Sequence, residues 1–141
     1  PLTGLLNRRA LERDMRRELA RASRYGRKVT VLVADLDGLK QINDRHGHVA
    51  GDECLRRLAQ AFERGLRLGD TAYRVGGDEF VALLPEAGES RAEPVARRLH
   101  DLGAPAFSWG AATFPDDGGG LEELIEQADA RLYESRRAAR A

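Results

Sequence analysis

Apolar residues recur every three or four positions in several stretches of this chain, which is the spacing of an amphipathic helix. The first stretch begins after Asn7, a residue suited to an N-cap, and ends near Tyr25, where Gly26 can terminate a helix. The same spacing predicts four more helices, with a turn at 47–51 before the second of them. Their approximate ranges are 39–45, 52–66, 93–102 and 121–137.

Other apolar stretches are continuous and rich in β-branched residues, which is typical of buried strands. Residues 29–34 form one such run, and 71–75 and 80–84 flank two glycines, a pattern that predicts a β-hairpin. Residues 106–113 predict a last strand, which Gly110 weakens. The predicted order is α-β-α-α-β-β-α-β-α. We therefore expect an α/β (α+β) fold with helices flanking a central, mostly antiparallel sheet.

The composition indicates one folded domain. The 141 residues are 42% hydrophobic and 33% charged, and no apolar run approaches the roughly 20 residues of a membrane span. The formal net charge is zero, which argues against a nucleic-acid or membrane-surface binder, because either would have a basic excess. The single cysteine, Cys54, fits a reducing compartment. The chain does not begin with Met, so we expect a piece of a longer protein.

Candidate chemistry lies at two predicted strand ends. Asp35 follows the first buried strand, while Asp78 and Glu79 lie in the turn of the hairpin. If the hairpin pairs beside that strand, the three carboxylates converge, and converging acids that bind two cations are a general arrangement for phosphoryl transfer. Taken alone, the hairpin is equally well explained as a solvated Gly-rich turn. No P-loop pattern or zinc-spaced cluster occurs, and we interpret His46 and His48 as structural or solvent-facing.

Five segments, in their order and spacing, resemble the GGDEF domain, the catalytic domain of diguanylate cyclases. The resemblance extends over nearly all 141 residues. The segments are 2–9 (LTGLLNRR), 35–44 (DLDGLKQIND), 47–52 (GHVAGD), 76–80 (GGDEF) and 128–133 (ADARLY). Each is weak by itself, but together they are highly specific.

The resemblance implies a palm-like fold, similar to that of nucleotide polymerases and class III nucleotide cyclases. It also implies an enzyme that condenses two GTP molecules into cyclic di-GMP and releases two pyrophosphates. Each domain of the family binds one GTP, and a homodimer of facing domains forms the active site. We therefore expect a bacterial cytoplasmic setting, an upstream sensor or dimerising domain that could attach the chain to a membrane, and no nucleic-acid partner.

By position, the resemblance assigns metal binding to Asp35, the Leu36 carbonyl, Asp78 and Glu79, with Mg²⁺ or Mn²⁺ as the cofactor. Glu79 is also a candidate general base for the reacting hydroxyl. The predicted catalytic residues are therefore Asp35, Asp78 and Glu79.

A further set of residues is assigned to GTP. The set is Lys40, Asn43, Asp52, Gly76, Gly77, Arg136 and Arg140. Asn43 and Asp52 match guanine-binding positions, and a carboxylate suits the N1–H and amine donors of guanine. The cations match positions that contact the triphosphate, and the glycines match a turn that the nucleotide approaches. Without the resemblance, Asp52 is better explained as a helix N-cap, and the two arginines as a solvated helix end.

Arg67 and Asp70 form an R-x-x-D pair just before the hairpin turn. The pair resembles the family's inhibitory site, where Arg and Asp bind cyclic di-GMP and cause product inhibition. R-x-x-D is also a common chance pattern. We weigh a second function as well, that of a catalytically silent domain that binds GTP or cyclic di-GMP as a regulatory module. A cyclase of a mixed product is a third possibility, which Asp52 disfavours.

The chain departs from the family pattern at four places. Leu39 replaces a usual Phe, Arg136 replaces a usual Lys, and Trp109 occupies the position of a medium-sized residue. The segment 86–107 is also shorter than typical. Because none of these changes affects the predicted metal ligands, they bear on stability and dimer geometry more than on chemistry.

Overall fold

Helices and strands alternate along residues 2–140, the part of the chain that the computed structural model describes, with side chains as far as residue 139. The helices are α1 (Arg8–Tyr25), α2 (Leu39–His46), α3 (His48–Gly65), α4 (Ala92–Asp101) and α5 (Leu121–Arg140). The strands are β1 (Val29–Leu36), β2 (Thr71–Arg74), β3 (Glu79–Pro85) and β4 (Phe107–Phe114), and a short 3-10 helix spans Glu89–Arg91. The predicted order of helices and strands is confirmed.

The four strands form one sheet in the order β2-β3-β1-β4, and every neighbouring pair is antiparallel. The expected α/β fold with helices around an antiparallel sheet is confirmed. β1 is an interior strand, because β3 pairs along one edge and β4 along the other. Its end therefore lies between the ends of two other strands, which is where the site described below is formed.

Both faces of β1 are buried, which explains why its sequence is continuously apolar rather than alternating. Leu32, Ala34 and Leu36 pack in a cluster with residues of α3 and α4. Val29, Val31 and Val33 pack on the opposite face with residues of α1 and α5. Each large side chain buried in these layers stabilises the fold by about 1.5–3 kcal/mol. Among residues 2–140, no helix has the length and apolar character needed to cross a bilayer.

The bounds of α1 follow from its two caps. The Asn7 side chain accepts a hydrogen bond from the Ala10 N–H at 3.0 Å, and Gly26 ends the helix in the left-handed conformation at φ 66°. Within the helix, Asp14 accepts a hydrogen bond from the buried hydroxyl of Tyr73 at 2.6 Å. This contact fixes α1 to β2, the strand that leads into the glycine-rich hairpin connection.

The predicted turn at 47–51 is wrong, because α3 begins at His48. Gly47, at φ 87°, separates α2 from α3, and Gly51 is buried inside α3. A Cβ atom on Gly51 would overlap the side-chain Oδ1 of Asn43. Glycine is therefore present at this position because α2 and α3 pack closely, and not because the chain turns there. Asp52 lies inside α3, so its interpretation as an N-cap is also wrong.

Position 110 is a glycine for a similar reason. A Cβ atom there would overlap the backbone of α5 at Ala128 and Leu132. The glycine that weakened the strand prediction is the residue that lets α5 pack directly on β4. This packing fixes the position and rotation of α5, which carries Asp129 and Arg136 of the candidate site.

Gly110→Ala is expected to lower the free energy of unfolding by about 1–3 kcal/mol or more, because the added methyl meets helix backbone rather than a movable side chain. Urea denaturation followed by circular dichroism measures this change. Gly119→Ala is the matched control, since a Cβ atom at Gly119 faces open space. Equal stability of the two variants would contradict the packing argument.

Candidate functional site

The strand register places the predicted acids at one end of the sheet. In the pairing of β1 with β3, Asp35 lies opposite Glu79, and Asp78 immediately precedes β3. The Leu36 N–H donates to the Asp78 carbonyl at 3.3 Å and holds the hairpin connection against the end of β1. The hairpin thus pairs beside the first strand, which was the condition for the carboxylates to converge.

The connection between β2 and β3 exposes its backbone. The Val75 N–H donates to the Glu79 carbonyl at 3.0 Å, and Arg74 Nη2 donates to the Gly77 carbonyl at 2.7 Å. Neither Gly76 nor Gly77 has a positive φ, so the backbone conformation does not require glycine here. A Cβ atom on Gly77 would face open space. The glycines therefore leave a bare surface that a bulky ligand can approach.

Asp35 and Asp78 form a carboxyl pair. Burial, followed by the hydrogen bond and the charge of Asp78, raises the pKa of Asp35 to about 7. Asp35 Oδ1 is buried, and within residues 2–139 no N–H or O–H group donates to it. Two carboxyl groups in contact need a proton or a cation between them, because two carboxylates repel each other.

The pair fits a divalent cation. A buried carboxylate oxygen without a donor, beside a second carboxyl group, is the oxygen-rich and negatively charged environment that Mg²⁺ and Mn²⁺ bind. Within residues 2–140, no group of three acidic, His or Cys side chains is already assembled around one point. Two carboxylates therefore form the centre of the candidate metal site, and the Leu36 carbonyl and Glu79 are its predicted additional ligands.

A fourth acid, Asp129 of α5, lies near Glu79. Burial, then the charges of Asp129 and Asp78, raise the pKa of Glu79, while Arg8 acts in the opposite direction. Burial also raises the pKa of Asp129. Sequence reasoning gave Asp129 no role, although its position directly after the inward-facing Ala128 was an available signal.

Arg136 extends from α5 to the end of β1. Its guanidinium donates to Asp37 Oδ1 at 3.0 Å, to Ser108 Oγ at 3.3 Å and to the Asp35 carbonyl at 3.4 Å. It also lies 3.7 Å from Asp35 Oδ2. The Arg136 side chain is only 26% exposed, so its interpretation as part of a solvated helix end is wrong. The side chain of Arg140 lies outside the described residues.

Asp37 and Ser108 were not predicted. Ser108 Oγ donates to Asp37 Oδ1 at 2.7 Å, so the two side chains form one acceptor surface for Arg136. Asp37 belongs to the family-like segment 35–44, but its partner on β4 is 71 residues away, so local spacing does not predict the contact.

The predicted guanine-binding residues lie where α2 meets α3. Asn43 is half-buried beside Gly51, and its Oδ1 has no donor among residues 2–139. Asp52 is half-buried on α3, and Lys40 is exposed on α2. Because Asn43 Oδ1 is buried against Gly51, it lies inside the contact between the two helices.

The structure places Arg67 and Asp70 together in the connection between α3 and β2, with a third residue over them. The Asp70 side chain is 1% exposed and accepts from both terminal nitrogens of Arg91, at 3.0 and 2.6 Å. The Arg67 backbone N–H donates to the same carboxylate at 3.3 Å, while the Arg67 side chain is 54% exposed. Arg91 was not predicted, because it lies 21 residues further along the chain.

A comparison with protein families matches residues 1–141 to the family described as "Diguanylate cyclase, GGDEF domain". This chain belongs to the GGDEF family. DosC of Escherichia coli strain K12, a diguanylate cyclase, is 41% identical over 156 residues, which are 99% of this chain and 33% of DosC. The GGDEF domain described here thus spans about a third of that relative's length.

Solved structures of relatives have the same fold. The isolated GGDEF domain of TpbB (YfiN) from Pseudomonas aeruginosa superposes with a TM-score of 0.90 at 32% identity, covering 97% of this chain and 87% of that one. The GGDEF domain of DgcB from Caulobacter crescentus, crystallised in complex with c-di-GMP, gives a TM-score of 0.88 at 30% identity, covering 99% and 87%. The fold expected from the resemblance is therefore confirmed.

Without metal, the GGDEF domain is expected to lose stability as the pH rises from 5 to 8. Folding raises the pKa of Asp35 from its ordinary 3.8 to about 7, so the folded state holds a proton that the unfolded chain releases at lower pH. This contribution is fully present below the unfolded pKa and is lost as the pH rises through the folded pKa. The expected loss exceeds about 1 kcal/mol, since each pKa unit corresponds to about 1.4 kcal/mol.

Urea denaturation in a chelating buffer at the two pH values measures the difference. Asp35→Asn is expected to reduce it, whereas Asp101→Asn, at the exposed end of α4, should leave it unchanged. An undiminished difference in Asp35→Asn would mean that another group is responsible.

Proposed function

We propose that this GGDEF domain is a diguanylate cyclase that condenses two GTP molecules into cyclic di-GMP and releases two pyrophosphates in the bacterial cytoplasm. The observation that carries the proposal is the contact of Asp35 with Asp78 at a strand end where Glu79 lies opposite Asp35. Family membership and the named activity of DosC support it.

The carboxylates of Asp35 and Asp78 would hold Mg²⁺ or Mn²⁺, with the Leu36 carbonyl and Glu79 as further ligands. The metal, when bound, would neutralise phosphate charge and favour attack at the α-phosphorus. The bare backbone at Gly76 and Gly77 leaves room for the nucleotide to approach.

Glu79 is the proposed acceptor of the proton from the attacking 3′-hydroxyl. The oxygen of that hydroxyl forms a bond to the α-phosphorus of the opposing GTP, and the bond from that phosphorus to the pyrophosphate breaks. In the metal-free domain, burial and the neighbouring acids raise the pKa of Glu79, which is the direction that makes a carboxylate a better proton acceptor.

The remaining predicted residues would bind the rest of GTP. Asn43 and Asp52, both half-buried where α2 meets α3, would hydrogen-bond the guanine, and the Asp52 carboxylate would accept from its N1–H and amine. The triphosphate would be contacted by Lys40, Arg136 and Arg140. The hydrogen bonds from Arg136 to Asp37 and Ser108 would orient its guanidinium.

One domain holds one GTP, so a homodimer of facing domains is required. Because the chain spans about a third of DosC, an upstream sensor or dimerising segment is part of the proposal.

The deciding experiment is turnover of GTP with Mg²⁺ at high protein concentration, with the product identified by mass spectrometry. Cyclic di-GMP whose rate of formation rises steeply with protein concentration would support the dimeric cyclase. Binding of cyclic di-GMP without turnover, even after fusion to an artificial dimeriser, would instead support a silent regulatory domain.

Glu79→Gln is expected to lower turnover at least about 100-fold, because the amide cannot accept the hydroxyl proton. The initial rate of pyrophosphate release measures the loss, and the thermal midpoint shows whether the variant is folded. Glu126→Gln, at an exposed position of α5, is the matched control. Normal product formation by folded Glu79→Gln would remove this residue from the mechanism.

Arg67→Ala is expected to relieve product inhibition without reducing the initial rate. The exposed guanidinium of Arg67 is the proposed contact for a phosphate or guanine edge of cyclic di-GMP, and a charge-assisted hydrogen bond contributes about 1.5–3 kcal/mol, or tenfold and more in affinity. Inhibition curves with added cyclic di-GMP measure the shift. An unchanged curve would place product binding elsewhere.

A further inference from the structure

Asp70 already holds a bidentate partner in the ligand-free domain. Arg91 donates from Nη1 to Oδ1 at 3.0 Å and from Nη2 to Oδ2 at 2.6 Å. The Arg67 backbone N–H donates to Oδ2 at 3.3 Å. With the Asp70 side chain 1% exposed, no ligand can reach its carboxylate unless Arg91 moves.

Arg91 reaches Asp70 from a separate part of the chain. It is the last residue of the 3-10 helix Glu89–Arg91, and its N–H donates to the Gly88 carbonyl at 3.1 Å. Its side chain is 23% exposed, so it lies at the surface over the buried acid. A change of side-chain rotamer could therefore uncover Asp70 without unfolding the 3-10 helix.

A guanidinium and a guanine present similar donors to a carboxylate. The Watson–Crick edge of guanine carries the N1–H and the exocyclic amine side by side, and a carboxylate can accept both hydrogen bonds at once. The guanidinium of Arg91 presents two parallel N–H groups to the same two oxygens. The carboxylate of Asp70 can pair with only one of these partners at a time.

We propose that Arg91 is an intramolecular competitor of guanine at Asp70 and thereby weakens inhibition by cyclic di-GMP. The inference rests on the product site proposed above and concerns its regulation. If the ligand-competent state is only a fraction of the population, the apparent dissociation constant is the intrinsic one divided by that fraction. A domain in which Arg91 covers Asp70 about nine-tenths of the time would thus bind the product about tenfold more weakly.

The charges around Asp70 favour competition with a ligand over a purely structural role for Arg91. Arg67 and Arg91 present two guanidinium groups to one carboxylate, so the cluster retains an excess positive charge. Once displaced from Asp70, Arg91 would remain available to the phosphates of the incoming product. Arg91 therefore determines how readily the site opens, while the Arg67 side chain, 54% exposed and 3.7 Å from Asp70 Oδ1, stays beside it.

The test is the affinity of the 141-residue chain for cyclic di-GMP, measured by calorimetry. Arg91→Ala is expected to bind about tenfold more tightly than the unaltered chain, opposite to the effect of Arg67→Ala. Arg91→Lys should also bind more tightly, because lysine retains the charge but cannot donate two parallel N–H groups. Arg97→Ala, which removes an exposed pair with Glu93, is the matched control and should not change the affinity.

Weaker or unchanged binding in folded Arg91→Ala and Arg91→Lys would overturn the proposal, and so would no detectable binding in any variant. If Arg91→Ala does not fold, as judged by its thermal midpoint, Arg91→Lys decides. Turnover of GTP is measured in parallel to separate the two proposals. Tighter binding without turnover keeps the competition and rejects the cyclase, whereas turnover with unchanged binding rejects the competition alone.

Discussion

The pairing of β1 on both edges and its burial on both faces is the constraint on which the rest of the structure depends. β3 and β4 bond to its two edges, while α3 and α4 cover one face and α1 and α5 the other. A strand held in this way cannot slip by one residue without reversing the direction of every side chain. Asp35, at its end, is therefore fixed opposite Glu79 and beside the hairpin connection that carries Asp78.

This fixed register brings negative charges closer together than they would remain in water. Burial and Asp78 raise the pKa of Asp35 to about 7, so ionising both carboxyl groups costs the domain stability. Arg136, which extends from α5, offsets part of the negative charge at Asp35. The close packing of α5 on Gly110 determines how far the Arg136 side chain reaches. The arrangement is the one expected of the proposed cation-binding site.

Asp70 is a buried acid with a different kind of partner. Its carboxylate accepts two hydrogen bonds from Arg91, a partner within the same chain. A partner that is itself a side chain can exchange with a ligand, whereas a packed apolar neighbour cannot. Under the two proposals, Asp35 would bind a metal, whereas at Asp70 a ligand would compete with Arg91.

The sequence by itself determined the order of helices and strands, because hydrophobic periodicity reports which local structure can bury its apolar face. It also determined that Asp35, Asp78 and Glu79 occur at strand ends, and its motifs indicated the family. Tertiary structure decided the contacts between distant residues, including Arg91 with Asp70 and Ser108 with Asp37. It also decided why Gly51 and Gly110 are glycines, since only the packing of another segment against each reveals that a Cβ atom has no room. Periodicity extends over a few residues, while these contacts depend on how whole helices and strands pack.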